Sequence, residues 1–223
     1  MEYERVIFEG AAPAVVNEAI LSRAECLVKL ERWSDASAAL ERLRMYAMNG
    51  EQREQSAYLK ALCQYRLGTS EAAAAVLSEN PVSLADDRTR LRALVLAANR
   101  DYDAALECAR NLTSDNAAVE DLFRHTPKYK SAEKAMFLSI IPTAGHIYVE
   151  RPDMWWTTVG SVASAAFAVY EAISGNWLTA VLGGSLLVNC FYIEEHLRPV
   201  QKAAVDYNST ELEAFLRKLE NTL

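Results

Sequence analysis

Residues 93–109 read ALVLAANRDYDAALECA: alanine-rich apolar spacing, a polar turn at 99–101, then a second apolar face opened by Tyr102. Apolar side chains three and four residues apart on both sides of a short polar break spell two amphipathic helices joined tightly, an antiparallel pair. The same pattern stands at 24–40 (AECLVKLERWSDASAAL) and at 61–77 (ALCQYRLGTSEAAAAVL). Alignment of the three makes Ala24, Ala61 and Ala93 equivalent, then Cys26, Cys63 and Val95, then Trp33, Ser70 and Tyr102, then Ala36, Ala73 and Ala105, with offsets of 37 and 32 residues. A small residue at a fixed place in each helix predicts close helix–helix approach there. One pair cannot cover its own apolar face, so the copies are expected to stack on one another.

The two offsets bracket the period of about 34 residues of tetratricopeptide repeats, and residues 99–106 (NRDYDAAL) resemble the inter-helix turn of that family. The resemblance implies a tetratricopeptide-like helical-repeat solenoid over residues 1–126. Its packing positions are Ala24, Trp33, Ala36, Ala61, Gly68, Ala73, Ala93, Tyr102 and Ala105, and its concave surface takes a protein or peptide partner. The repeat is degenerate: the turn glycine is present only as Gly68, Ser70 replaces the turn aromatic, and the inter-repeat proline is present only as Pro81. The opening segment, with Tyr3, Val6, Ile7 and Phe8 stopped by Gly10 and Pro13, resembles the second helix of a fourth repeat.

Composition agrees with an all-α chain. Eight glycines and six prolines in 223 residues, abundant alanine and no alternating β-branched runs leave no strand signal to compete with the helical one. A net charge of −7 lacks the basic stripe that a nucleic-acid surface needs. Cys26, Cys63, Cys108 and Cys190 are widely spaced without a CxxC pair, and read as buried free thiols rather than disulfides. The first five residues, MEYER, lack the basic start and apolar core of a signal peptide, so either there is none or the chain has been shortened.

Past Pro127 the chain changes character. Uncharged stretches run over 135–149, 154–170 and 172–193, separated by the charged 150–153 and by Glu171. Such runs are rare on soluble helices and long enough, in the last two cases, to form a transmembrane helical hairpin. Trp155, Trp156, Trp177 and Tyr192 stand at the ends of the stretches, where amphipathic rings favour the headgroup layer. Gly160, Ser164 and Ala168 repeat every fourth residue, and Gly183 and Gly184 open the other helix to close backbone approach; these are the expected hairpin-packing residues. The turn at 174–176 (SGN) makes the helices antiparallel. In the first stretch, 142–145 (PTAG) breaks the helix and suits a re-entrant or interfacial piece.

Residues 137–208 are also similar to a bacterial membrane-protein family that combines a PGxGQxYxG motif, a two-helix hairpin and an FY…N tail, often behind tetratricopeptide-like repeats. Pro142, Gly145, Tyr148, Phe191, Tyr192 and Asn208 fall on its positions, while Thr143, His146 and Glu150 depart from the family's glycine, glutamine and glycine. The resemblance implies a bacterial-envelope membrane location, and makes Pro142, Gly145, His146 and Tyr148 the motif residues to follow. After the hairpin, Pro199 is expected to interrupt, and Thr210 with Glu213 has the spacing of a capping box for a C-terminal amphipathic helix over 209–223 that docks back on the repeats. The organisation expected is therefore 1–126, 127–208 and 209–223.

No catalytic chemistry is legible. Glu194, Glu195 and His196 do not form the HExxH spacing that holds zinc and read as a solvated charge cluster, and no phosphate-binding loop occurs. No third group completes a cysteine–histidine nucleophile. No enzyme, cofactor, metal, nucleic acid or small-molecule substrate is expected. The reading is a membrane-anchored interaction adaptor or scaffold, its partners a protein or peptide and membrane lipid. A membrane-insertion or transport factor acting through the hairpin, and a soluble helical protein with 154–193 as its core, are the alternatives. Lys128, Lys130, Lys134 and Arg151 before the hairpin and Arg198 and Lys202 after it put both flanks on one side.

Overall fold

The computed structural model describes residues 2–8, 12–79, 86–112, 116–139, 141 and 144–223. Gly10, Pro81, Pro142 and Thr143 of the motifs above lie outside these. Among the described residues every regular element is helical. The chain divides into two compact units, Met1–Thr126 with Leu216–Leu223, and Pro127–Phe215.

The first unit holds α1 (Glu2–Phe8), α2 (Pro13–Lys29), α3 (Trp33–Leu40), α4 (Gly50–Arg66), α5 (Ser70–Glu79), α6 (Asp86–Ala98), α7 (Tyr102–Arg110) and α8 (Asn116–Arg124). Helices pack as the pairs α2–α3, α4–α5 and α6–α7, and the first helices of successive pairs also touch, α2 with α4 and α4 with α6. The alanine register explains how they come so close. Ala24, Ala61, Ala93, Ala36, Ala73 and Ala105 are all 0% exposed, so each helix meets its neighbour through a methyl group and no bulky side chain holds the axes apart. Around these joints lie one core of Val16, Ile20, Leu21, Leu27, Leu40, Leu59 and Cys63, and another of Leu77, Leu91 and Val95.

The turns repeat as well. Trp33, Ser70 and Tyr102 each begin the second helix of a pair. Two residues earlier the backbone turns left-handed, at Glu31 (φ 57°), Gly68 (φ 80°) and Arg100 (φ 66°). Only glycine adopts that conformation without steric cost, yet two of the three copies hold it with charged residues. Ser70, which departs from the aromatic pattern, donates its hydroxyl to Asn99 Oδ1 at 2.8 Å and accepts Asn99 Nδ2 on its carbonyl at 3.0 Å. A polar bridge between adjacent turns thus stands where the other copies have a ring.

Two further ties close this unit. Buried Asn17 donates to the Arg44 carbonyl at 3.0 Å and accepts the Arg44 N–H at 2.8 Å, pinning the irregular stretch between α3 and α4. At the C-terminus Leu219 is fully buried, and Glu220 pairs with Arg66 at 2.6 Å while its carbonyl accepts from Arg90.

The second unit holds α9 (Ala132–Leu138), α10 (Ala144–Tyr148), α11 (Trp155–Ile173), α12 (Trp177–Leu187), a π-helical segment (Val188–Leu197) and α13 (Arg198–Thr222), whose last turns belong to the first unit. Its core is small: Ala135, Val149, Val200, Ala203 and Ala204 are buried together. Pro199 does not interrupt the chain, contrary to the reading from sequence; one helical run extends over Trp177–Thr222. The wide turns of Val188–Leu197 precede the proline and take up the register change that its missing N–H and its ring would force on a regular helix. Nor does a helix start at Thr210, whose hydroxyl donates back to the Asp206 carbonyl at 2.9 Å inside α13.

Candidate functional site

The second unit combines two features that seldom share one small body: a pair of helices with large apolar side chains facing outward, and a buried polar junction beside them. On α11 and α12, Val159, Val162, Val169, Tyr170, Ile173, Trp177, Leu178, Val181, Leu182 and Leu186 are exposed, Ile173 to 83%. The expected packing residues lie on the opposite side. Ser164 is buried and donates to the Gly160 carbonyl at 2.7 Å; a Cβ at Gly184 would stand 2.8 Å from Ala168 Cβ, and one at Gly183 would touch the Phe167 ring at 3.4 Å. Gly184 and Ala168 thus lie in close contact between α11 and α12, and the tight turn with Gly175 at φ 83° joins the two helices.

The junction is built from four elements. His146 comes from α10, His196 from the π-segment, Thr157 from the first turn of α11, and Ser139 from the end of α9. Each histidine is 1% exposed, which corrects the reading of Glu194, Glu195 and His196 as a solvated cluster. Glu194 is exposed and pairs with Arg198 at 2.5 Å, whereas His196 turns inward. His146 Nε2 lies 3.1 Å from His196 Nδ1 and 3.1 Å from Thr157 Oγ1, and Thr157 Oγ1 lies 3.2 Å from His196 Nδ1. The rings meet edge to face at 4.7 Å, and Tyr192, one helical turn before His196, stacks on it at 5.8 Å. His196 Nε2 donates to the Ser139 carbonyl at 3.1 Å. Burial, and then the neighbouring His196, hold the His146 imidazole below its ordinary range, so it rests neutral.

The other motif residues support this junction. A Cβ at Gly145 would sit 2.9 Å from the Ala135 carbonyl oxygen and closer still to Ser139 Oγ, so only glycine lets α10 lie against α9. Tyr148 accepts the Ser131 N–H on its hydroxyl at 3.0 Å. Glu150, at the position where the resembling family has glycine, has φ 58°. Asn208 bonds both backbone groups of Lys130, and Lys130 Nζ pairs with Glu150 at 2.8 Å and lies 3.6 Å from the centre of the Tyr207 ring. Phe191 shares the π-segment with Tyr192.

In the first unit, Trp33 is half-buried with the Arg66 guanidinium 5.8 Å from its ring, and Tyr102 is half-buried at the start of α7. Two cysteines depart from the buried reading: Cys26 and Cys190 are exposed, Cys108 is half-buried, and only Cys63 is fully buried. Cys26 borders a groove of about 790 Å³ with Arg23, Arg32, Asp35 and Arg42 along it, where Glu4 of α1 binds both Arg23 and Arg42. Histidines 50 residues apart in sequence escape every spacing rule; the one signal in the sequence is His146, an ionisable side chain inside an otherwise apolar stretch, whereas His196 is hidden among Glu194, Glu195 and Arg198.

Compared with protein-family models, curated proteins and solved structures, the chain matches none.

Proposed function

We propose that the protein is a membrane-anchored adaptor, whose first unit is a tetratricopeptide-like solenoid that binds a protein or peptide and whose α11–α12 hairpin lies in the bilayer. The observation that carries this reading is the outward apolar surface of α11 and α12. A large apolar side chain left in water forgoes about 1.5–3 kcal/mol, and here thirteen of them are exposed on one helix pair. A bilayer recovers that energy. At 1.5 Å per residue the 19 residues of α11 reach about 28 Å, close to the ~30 Å hydrocarbon layer. Exposed Trp155, Trp156 and Trp177 at the helix ends suit the headgroup zone, and the Gly184–Ala168 seam suits helix packing in lipid. A soluble core would bury these side chains.

The partner-binding half rests on the repeated alanine joints and left-handed turns, which produce stacked helix pairs, and on the groove bordered by Arg23, Arg32 and Arg42. Anchoring raises the effective concentration of whatever the repeats hold, and an envelope setting follows from the family resemblance.

Membrane anchoring is tested on the full chain by carbonate extraction of membranes. The wild type is expected to remain in the pellet, and a Val162→Lys/Leu182→Lys variant to be released or fail to insert. Release of the wild type as a monodisperse species without detergent would overturn the reading. Deletion after Lys130 is a poor test, because it also removes Leu219 and Glu220 from the first unit.

A further inference from the structure

The buried junction has an unusual proton count. A carbonyl only accepts, so His196 Nε2, 3.1 Å from the Ser139 oxygen, carries that ring's proton, and His196 Nδ1 presents a lone pair. The Thr157 hydroxyl donates to the Met154 carbonyl at 2.8 Å, so its oxygen also presents lone pairs inward. These two atoms and His146 Nε2 form a triangle with edges of 3.1, 3.1 and 3.2 Å. His146 Nδ1 is buried without a partner, so neither neutral tautomer of His146 satisfies both of its nitrogens.

We propose that this triangle is a binding site for a divalent late transition metal, zinc or copper, with His146 Nε2, His196 Nδ1 and Thr157 Oγ1 as protein donors and a water completing the set. Zinc–nitrogen distances of about 2.0–2.1 Å in a tetrahedron separate the donors by roughly 3.3 Å, so the triangle needs to widen by only ~0.2 Å. The His196 Nε2 bond to a backbone carbonyl is the outer contact that orients a metal-binding imidazole and fixes its tautomer. No group of three His, Cys, Asp or Glu side chains occurs among the described residues, so the third donor is a hydroxyl, and the site holds metal less tightly than a closed cysteine–histidine site does. With one position left to water it has the open coordination of a reactive or exchangeable metal. The cation would staple α10, α11 and the π-segment at one point. This inference stands whether or not α11 and α12 lie in a bilayer.

The test uses the full chain purified in detergent, with Cys26 and Cys190 changed to serine to remove exposed thiols, stripped with chelator and then dialysed against zinc. One zinc per chain is expected by elemental analysis, with a thermal midpoint that rises on adding zinc and not on adding magnesium. Cobalt in place of zinc is expected to give the intense visible absorption of a tetrahedral site. His125→Ala, which removes the exposed third histidine, should keep the metal; His146→Gln and His196→Gln should each lose it at least tenfold. If either glutamine variant fails to fold, the cobalt spectrum of the otherwise unaltered chain decides alone. Less than one-tenth of an equivalent of metal in that chain, no tetrahedral cobalt bands, or metal retained by folded His146→Gln/His196→Gln would overturn the proposal.

Discussion

Asn208 holds Lys130 by both of its backbone groups: its Nδ2 donates to the Lys130 carbonyl at 2.9 Å, and the Lys130 N–H donates to its Oδ1 at 2.7 Å. The carboxamide closes a segment 78 residues away in sequence as a paired strand would. Loss of the side chain strands two backbone groups that are partly shielded from water, at a cost of about 1–3 kcal/mol. Asn208→Leu is expected to lower stability by that amount in chemical denaturation, and Asn208→Asp, which keeps the acceptor and loses the donor, by less. Equal losses for the two variants would mean that the clamp is not what matters at this position.

The left-handed residues predict opposite signs for opposite substitutions. Gly68 has open space where a Cβ would go, so Gly68→Ala pays only for its φ of 80°, about 1 kcal/mol. Arg100→Gly, Glu31→Gly and Glu150→Gly relieve the same strain and, after the greater chain entropy of glycine when unfolded, should gain up to ~1 kcal/mol each. Glu150→Gly also gives up its ion pair with Lys130, but Glu150 is largely exposed and the pair counts for little. Equilibrium unfolding midpoints check the whole series.

Between α11 and α12 the contact at Gly184 leaves no room for a methyl group. Gly184→Ala should cost about 1–3 kcal/mol by overpacking, and Ala168→Gly in the same chain should restore most of it. A double-mutant cycle read by thermal unfolding in detergent measures the coupling; additive effects would show that the helices separate rather than press together.

Cys63 is the buried thiol, and burial pushes its pKa up to about 11 from the ordinary 9.0. At pH 8 a thiol reagent should label exposed Cys26 readily and Cys63 only after denaturation. The sign of the linkage follows from the raised value: the unfolded chain ionises this thiol first, so its contribution to stability is complete below pH 9 and is lost as pH climbs toward 11. In Cys63→Ala that alkaline decline should shrink, as urea titrations at pH 8 and pH 10 would reveal.

Much of the first unit was legible because its determinants are local. Ala24, Ala61 and Ala93 sit within a turn or two of the apolar residues they pack beside, so one helical period exposes the pattern. The turns were only half legible: Gly68 was visible as a glycine, whereas Glu31 and Arg100 take the same backbone with side chains that give no hint of it. The junction of the second unit was not legible. His146 and His196 meet through the folding of four elements, and the inward turn of His196 depends on a π-segment that no hydrophobic period encodes. Pro199 and Thr210 misled for a related reason, since each is a strong local stop or start signal that a helix held by Val200, Ala203 and Ala204 overrides. Asn208, by contrast, was marked by the family tail, although its attachment to Lys130 was not.

Of the four tryptophans, Trp155, Trp156 and Trp177 are exposed at the ends of α11 and α12, and Trp33 alone lies in the first unit, beneath Arg66. The molecule therefore carries two built-in optical reporters of unequal weight. Its steady-state ultraviolet emission is dominated by the surroundings of α11 and α12 and reads their polarity without any added dye, while selective quenching of those three indoles leaves a single fluorophore whose lifetime follows the repeats.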